Sequence, residues 1–511
     1  MTWFPWESTA TFAETNFYVP RTDHYYYSGF QWKHVDNPLQ EIEELTSVLS
    51  EHPGNVKAYY NRGLIKAQKG DIPGAREDFA RAAYQQPSSP EQYADLCVVK
   101  WLFKAPSDVA LKDCDQAIQA NPQGSRGYYA RGLVKAEAGK KSEAISDFSQ
   151  VIGIDPNNAA GYYNRALVGV EIGDYQKALT DFSTALRIDP KNSLAWKNRG
   201  NTHMRLRNLQ AAIADYTEAI LIDPKYAFAY NNRGIAKARL GDHDGAIADY
   251  SRAIELKPDY SMALKNRGEE KAEKGDFKEA IADYDHAIAV DPEYATAYIG
   301  RAEARSSLKD YQGAIDDFSQ AIDINPKNAV TYYHRATAKF EIGDFAGAIE
   351  DYTSAIQRDP NDADAYYGRA LAKCELADFA GAIADHTSAI QRNPNLAEAY
   401  YARALAKFES RDFAGAIVDH TSAIQHDSNF PHAYYGRGYV RAALREYKSA
   451  IADYSEALSR NPQYAIAYYC RGYAKAQLGD LLGAQEDYRQ ALKLDPGLSV
   501  PALVKDHEGA M

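Results

Sequence analysis

Residues 227–260 read AFAYNNRGIAKARLGDHDGAIADYSRAIELKPDY, and residues 261–294 read SMALKNRGEEKAEKGDFKEAIADYDHAIAVDPEY. Laid over one another they keep Asn-Arg-Gly, Gly-Asp, Ala-Ile-Ala-Asp-Tyr, Ala-Ile and Pro in register at a spacing of 34 residues. The spacing continues in both directions. Pro122, Pro156, Pro190, Pro224, Pro258, Pro292, Pro326, Pro360 and Pro394 follow one another at steps of 34, Ser428 takes the next slot, and Pro462 and Pro496 resume the series. A frame with Pro at position thirty-two gives thirteen repeats, beginning at Val56, Glu91, Ser125, Ala159, Ser193, Ala227, Ser261, Ala295, Ala329, Ala363, Ala397, Pro431 and Ala465, with one residue inserted near Pro90.

Position twenty of this frame is Ala throughout, from Ala75 to Ala484. Position twenty-seven is Ala except at Val151, and position eight is Gly or Ala except at Val98. Small residues held in register mark close contacts between helices, where a larger side chain would overpack. Gly241-Asp242, Gly275-Asp276, Gly343-Asp344 and Gly479-Asp480 place a left-handed helix end before an N-cap. Asp189-Pro190 and its counterparts stop the second helix, because the residue before Pro avoids the α region. Two helices per repeat follow. One such hairpin is too small for its own core, so neighbours must supply it.

The pattern resembles the tetratricopeptide repeat, carried in the repeat from Ser125 by Tyr128, Gly132, Ala144, Phe148 and Pro156, and in the repeat from Ala227 by Tyr230, Gly234, Ala246, Tyr250, Ala253 and Pro258. The resemblance covers residues 56–498 and implies an all-α fold, an α-solenoid in which antiparallel helix-turn-helix hairpins form a right-handed superhelix. Residues 38–55 read as a degenerate half repeat and 499–511 as a short tail. Residues 1–37 hold Trp3, Phe4, Trp6, Phe12, Phe17, Tyr18, Tyr25, Tyr26, Tyr27, Phe30 and Trp32, which suits a segment that caps the first hairpin or enters the groove as a pseudo-ligand.

Two positions depart from the family's apolar choices. Position seven is Arg in twelve repeats, from Arg62 to Arg471, and position twenty-three is Asp in all thirteen, from Asp78 to Asp487. Lys135, Lys237, Lys339 and Lys475 show the usual cation at position eleven, on the same helix face as the arginine. An Arg-Asp pair in every hairpin is the expected outcome, structural in purpose, since equivalent sites spread along a rod do not converge on one reacting atom. The repeat from Glu91 breaks the series with Cys97 and Cys114, expected as packed free thiols. Four cysteines without CxxC spacing suit a reducing compartment. His386 and His420 occupy the aromatic slot at position twenty-four and are expected as core rings.

By the same resemblance, positions two, five, nine, twelve and thirteen of each first helix line a groove that binds peptide. Towards the C-terminus these slots hold Tyr333, Tyr367, Tyr401, Tyr435, Tyr469, Leu371, Leu405, Tyr439, Tyr473, Phe340 and Phe408, with Glu341, Glu375 and Glu409 alongside. An aromatic stripe edged by carboxylates suits an apolar or basic segment. The middle of the array carries a polar set, Asn164, Lys197, Asn198, Asn201, Arg205, Asn231, Asn232, Arg239, Lys265 and Asn266, which suits an acidic one. Lys197, Asn201 and Asn232 resemble three of the five positions of a carboxylate clamp, although Met262 and Asn266 stand where its cations belong. Asn164, Asn198, Asn232 and Asn266 resemble the asparagine ladder of O-linked glycosyltransferase arms; the alternative is ordinary helix-surface asparagine.

A net charge of -12 argues against phosphate backbones and anionic lipid, so no nucleic acid and no membrane insertion are expected. The sequence has no P-loop, no GxSxG elbow and no spaced metal ligands, so neither catalysis nor a cofactor is expected. The reading is a cytoplasmic, non-catalytic scaffold whose partners are other proteins or peptides. The alternative is an accessory arm that presents substrates in trans to a transferase or a chaperone system. Leu478, Leu481 and Leu482 offer the C-terminal repeat a surface for a weak homodimer.

Overall fold

The computed structural model describes residues 25–28, 31–34, 38–68, 71–83, 87, 89–102 and 107–499. Among them are 27 α-helices and one antiparallel ribbon, Tyr25–Ser28 with Gln31–His34. The first strand of the ribbon runs beside the helix Val56–Gln68. The rest of the aromatic N-terminal stretch, and with it the choice between cap and pseudo-ligand, lies outside the described residues, as does 500–511.

After the single helix Pro38–Glu51 the chain alternates between first and second helices of hairpins. Twelve of the thirteen first helices begin on the residue that the 34-residue frame assigns, from Val56–Gln68 to Ala465–Gln477; the repeat from Glu91 starts one residue earlier, in Pro90–Leu102. The helices divide into two compact units, Met1–Ala263 and Leu264–Met511. Within each, a second helix packs on the first helix of the next repeat, as Lys141–Ile154 does on Ala159–Glu171 and Phe345–Arg358 on Ala363–Glu375.

Space explains the invariant small residues. The ring at position twenty-four lies across the first helix of its own hairpin, so that a Cβ added at Gly132, Gly200 or Gly234 would stand 2.8, 2.8 or 2.6 Å from the ring of Phe148, Tyr216 or Tyr250. Six turns close on a glycine with φ between +78° and +85°. In five repeats the same slot holds Arg207, Lys309, Ala377, Arg411 or Arg445 at φ of 59–64°, a conformation that costs an L-residue about 1–2 kcal/mol. Asp242, Asp310, Asp344, Asp378, Asp412 and Asp480 then cap the next helix by accepting from the backbone N–H three residues on.

The Arg-Asp pair forms wherever its arginine is present. In all twelve repeats Nη2 donates to the aspartate Oδ1 at 2.5–2.8 Å. Nε closes the fork on Oδ2, at 2.8 Å in Arg369–Asp385 and Arg403–Asp419. Nη1 reaches back to the preceding repeat, donating to Ser149 from Arg165, to Thr217 from Arg233, to Thr353 from Arg369 and to Ser455 from Arg471. The guanidinium also lies over the ring at position four, 5.5 Å from the centre of Tyr366 in the case of Arg369. Lysine at position eleven adds a second cation to the buried carboxylate, as Lys373 does to Asp385 at 2.7 Å. Burial works to raise the Asp385 carboxyl, but hydrogen bonds from Arg369 and Lys373 outweigh it and hold the group below the usual carboxylate range.

The expectation for Cys97 and Cys114 is corrected: the two form a disulfide, and the unpaired cysteines are Cys374 and Cys470. Positions seven and twenty-four face each other across the hairpin. Elsewhere a guanidinium stem and a ring fill that gap; here two small side chains meet with their Cα atoms 5.3 Å apart. The argument for a reducing compartment loses that support. Asp113 of the same repeat keeps a cation through Lys100, at 2.6 Å.

His386 and His420 have no exposed surface and fill the ring slot as expected, 5.5 Å from Tyr367 and Tyr401 respectively. Neither ring finds a hydrogen-bond partner for its nitrogens among the described residues. Burial lowers both imidazoles to about 4, against about 6.5 when unfolded.

Three outcomes follow from these packing rules. Arg369→Met leaves the buried Asp385 with Lys373 alone and should cost about 3 kcal/mol, whereas Arg369→Met with Asp385→Leu should recover most of it; equal losses in urea unfolding would refute the pairing argument. Ala377→Gly and Arg411→Gly should each raise stability by about 0.5–1 kcal/mol, since glycine takes positive φ without steric cost. Because the folded histidines titrate lower than the unfolded ones, their contribution is complete above pH 6.5 and is lost as pH falls towards about 4. His386→Phe with His420→Phe should therefore flatten the decline in stability over that window, by an amount on the order of 3 kcal/mol per histidine at its acid end. An unchanged slope in unfolding free energy between pH 7 and 4.5 would count against the burial of neutral rings.

Candidate functional site

In the second unit the position-five tyrosines are half-buried, each packing its ring on position twenty-four of its own hairpin. Tyr333 meets Tyr352 at 5.7 Å, Tyr367 meets His386 at 5.5 Å, Tyr401 meets His420 at 5.5 Å, Tyr435 meets Tyr454 at 5.8 Å and Tyr469 meets Tyr488 at 5.6 Å. These rings build the floor of the face. Above them Leu405, Tyr439 and Tyr473 are 43%, 46% and 44% exposed, which makes them the members able to meet a ligand directly. Leu371 is half-buried. Phe340 and Phe408 turn partly inward onto Phe345 and Phe413 of their second helices, at 5.2 and 5.4 Å, and Phe408 also touches Tyr439 at 5.4 Å. Glu341, Glu375 and Glu409 are exposed beside this stripe.

The polar set divides differently. Asn164 is fully buried and donates to the Tyr129 hydroxyl of the preceding repeat at 3.0 Å, and Asn198 does the same to Tyr163 at 2.7 Å. Asn231 is also fully buried and donates to Asn232, which donates to Asn201 at 3.0 Å; Asn201 in turn accepts from the Tyr216 hydroxyl at 2.7 Å. Asn266 is 8% exposed beside Lys265. Asn164 and Asn198 of the candidate ladder thus each spend an amide donor on the preceding repeat, because an unsatisfied amide in that contact would cost more than an exposed one gains.

The cations of the set are separated by their surroundings. Lys265 is held by Glu269 at 2.7 Å. Lys197 is half-buried, while Arg205 and Arg239 are exposed in the first unit. Burial lowers the Arg239 guanidinium, Tyr216 opposes that, and the charges of Arg207 and Arg205 reinforce it, so three arginines gather on one stretch of surface.

One feature of the face has no counterpart in the sequence-based list. In the second unit a cavity of about 210 Å³ is lined by Ala272, Glu273, Phe277, Tyr284, Gly300, Glu303, Ala304 and Ser307. The signal that could have found it is Gly300, one of three glycines at position six with Gly368 and Gly436, set between Glu273 at position thirteen of the preceding repeat and Glu303 at position nine of its own. Among the described residues no helix is long and apolar enough to cross a membrane.

Tetratricopeptide repeat models match residues 42–90, 107–159, 129–193, 193–226, 227–260, 265–329 and 465–498, and a TPR repeat model matches 336–376 and 443–479. Curated protein sequences give no match. Among solved structures, MamA is 27% identical over 32% of this chain and 94% of its own, with a TM-score of 0.31. YrrB, described as a TPR protein with an unusual peptide-binding site, is 22% identical over 36% and 95%, with a TM-score of 0.33. The APC/C hetero-tetramer Cut9–Hcn1 is 12% identical over 92% and 99%, with a TM-score of 0.41. With family models matched along most of its length and hairpins that begin on a 34-residue frame, the chain belongs to the tetratricopeptide repeat family.

Proposed function

We propose that this chain is a non-catalytic scaffold that binds peptide segments of partner proteins, with the aromatic face of its second unit as the principal site. The observation that carries the reading is the exposed row Leu405, Tyr439 and Tyr473, supported from below by packed tyrosines and bordered by Glu341, Glu375 and Glu409. A rigid aromatic surface gives contact area at little cost in side-chain entropy, and the carboxylates favour a segment that also carries positive charge. Arg205, Arg207 and Arg239 of the first unit suit acidic partner segments, which gives a long array room for more than one partner. A cytoplasmic location, and a weak homodimer through the exposed Leu478, Leu481 and Leu482, belong to the same proposal.

Selection of peptides from a random displayed library on the purified chain tests it. The enriched sequences should combine aromatic or aliphatic residues with Lys or Arg. Leu405→Ala/Tyr439→Ala/Tyr473→Ala should weaken the selected peptides at least about tenfold, a loss of some 1.4 kcal/mol, with helical circular dichroism unchanged. Retention of full affinity would place the binding surface elsewhere.

A further inference from the structure

The cavity between the first helices Ser261–Glu273 and Ala295–Ser307 is lined by a tyrosine ring whose hydroxyl makes no hydrogen bond among the described residues. In two other hairpins the hydroxyl at position twenty-four is satisfied by position nine of the same repeat: Tyr216 donates to Asn201 at 2.7 Å, and Tyr352 shares a hydrogen bond with Thr337 at 3.2 Å. Tyr284 lacks such a bond. It is 2% exposed, and among the described residues its hydroxyl makes no hydrogen bond, because Glu269 at position nine turns to Lys265 instead. The hydroxyl lies over Gly300, where an added Cβ would stand 2.8 Å from it, so glycine at position six keeps that space open.

Charge is the second property of the place. Glu273 and Glu303 line the cavity, and Glu269 stands one turn before Glu273. The basic residues nearby are committed: Lys265 to Glu269, Lys271 and Arg267 to Asp283, Arg301 and Arg305 to Asp317. Among the described residues His334 approaches Glu303 at 3.8 Å, and burial lowers that imidazole, which favours its neutral form. Burial raises the Glu303 carboxyl, and the charges of Glu269 and Glu273 add to the effect. The cluster gains by taking up a cation.

We infer that this cavity receives the cationic side chain, arginine or lysine, of a peptide bound along the face, with Glu273 and Glu303 as its counter-charges and the Tyr284 hydroxyl as a hydrogen-bond acceptor. A guanidinium or ammonium brings donors and no acceptor, which matches a lining of carboxylates and one unpaired hydroxyl. A volume of about 210 Å³ equals the liquid share of roughly seven waters, room for the end of one long side chain but not for a folded segment. The inference rests on the peptide-scaffold reading for its source of the cation, but its test does not require any peptide to bind unaided.

Ser307→Cys places a thiol at the rim, and disulfide exchange under fixed reductant then measures preference among small fragments. Cystamine, 2-hydroxyethyl disulfide and 3,3′-dithiodipropionate offer a cation, a neutral group and an anion of similar size. Capture, located by peptide mapping so that Cys374 and Cys470 are scored apart, should favour the cation by about tenfold or more. Glu273→Gln/Glu303→Gln should reduce that preference to within about twofold, and Tyr284→Phe should weaken it at unchanged helicity. Equal capture of the three fragments would overturn the cation site. A second pair, disulfides carrying Gly-Arg-amide and Gly-citrulline-amide, identifies the source. Preference for arginine supports a peptide side chain, whereas cystamine preference without it would overturn the peptide as occupant in favour of a small amine. Failure of the aromatic face would instead show only in the peptide selection.

Discussion

The guanidinium at position seven is tied in three directions at once, and it sets the helix crossing in twelve of the thirteen hairpins. Its fork on the aspartate at position twenty-three fixes how the two helices of a hairpin cross, and its third nitrogen fixes that hairpin against the one before, as Arg165 does through Asp181 and Ser149. A lysine could supply the charge but not the planar fork. Because both partners leave water, the pair contributes less net stability than its short distances suggest, and its value lies in geometry. A wrong register would leave a charged group buried without its partner, which is a steep penalty against slippage.

Around that fixed crossing, packing leaves a ring-sized slot at position twenty-four, bounded by small residues at eight, twenty and twenty-seven. Phe148, Phe182 and Phe318 fill it without further demand. Tyrosine fills it but brings a hydroxyl that must be answered, and the answers differ: Asn201, Thr337, or, for Tyr284, a cavity. Histidine brings two nitrogens that go unanswered at His386 and His420, so these hairpins are tied to neutral pH. The same slot that holds the array together is thus where individual repeats acquire polarity.

What was legible in the sequence is what recurs. The proline spacing and the invariant alanines set the start of the first helix in twelve of the thirteen hairpins, and Arg with Asp at fixed positions was enough to foresee the pair. What was not legible depended on contacts between repeats that differ from their neighbours. Asn164 and Asn198 look like exposed amides on one helix face, but the ring of the preceding repeat, Tyr129 or Tyr163, comes close enough to take their hydrogen bonds. Cys97 and Cys114 are 17 residues apart and share no local motif; only the crossing of the hairpin brings them together. The half-burial of the position-five tyrosines against position twenty-four shows only when the second helix is present.

A framework that is fixed at positions seven, eight, twenty, twenty-three and twenty-seven leaves positions nine, twelve and thirteen of each first helix free to vary in residue type. In the second unit those slots carry Leu405, Phe408, Tyr439 and Tyr473 in consecutive repeats, and Glu269, Glu273 and Glu303 around the cavity. In the first unit they carry Asn201 and Arg205, and Arg239. The segments DFAGAIEDYTSAIQ, DFAGAIADHTSAIQ and DFAGAIVDHTSAIQ, from Asp344, Asp378 and Asp412, show that second helices are copied almost unchanged while the first helices before them vary. Variation confined to one helix of each pair can change what the surface recognises without touching the Arg-Asp crossing, so chemistry can be altered one repeat at a time. Such a division of labour yields a row of separate side chains along the first helices, each set by its own repeat.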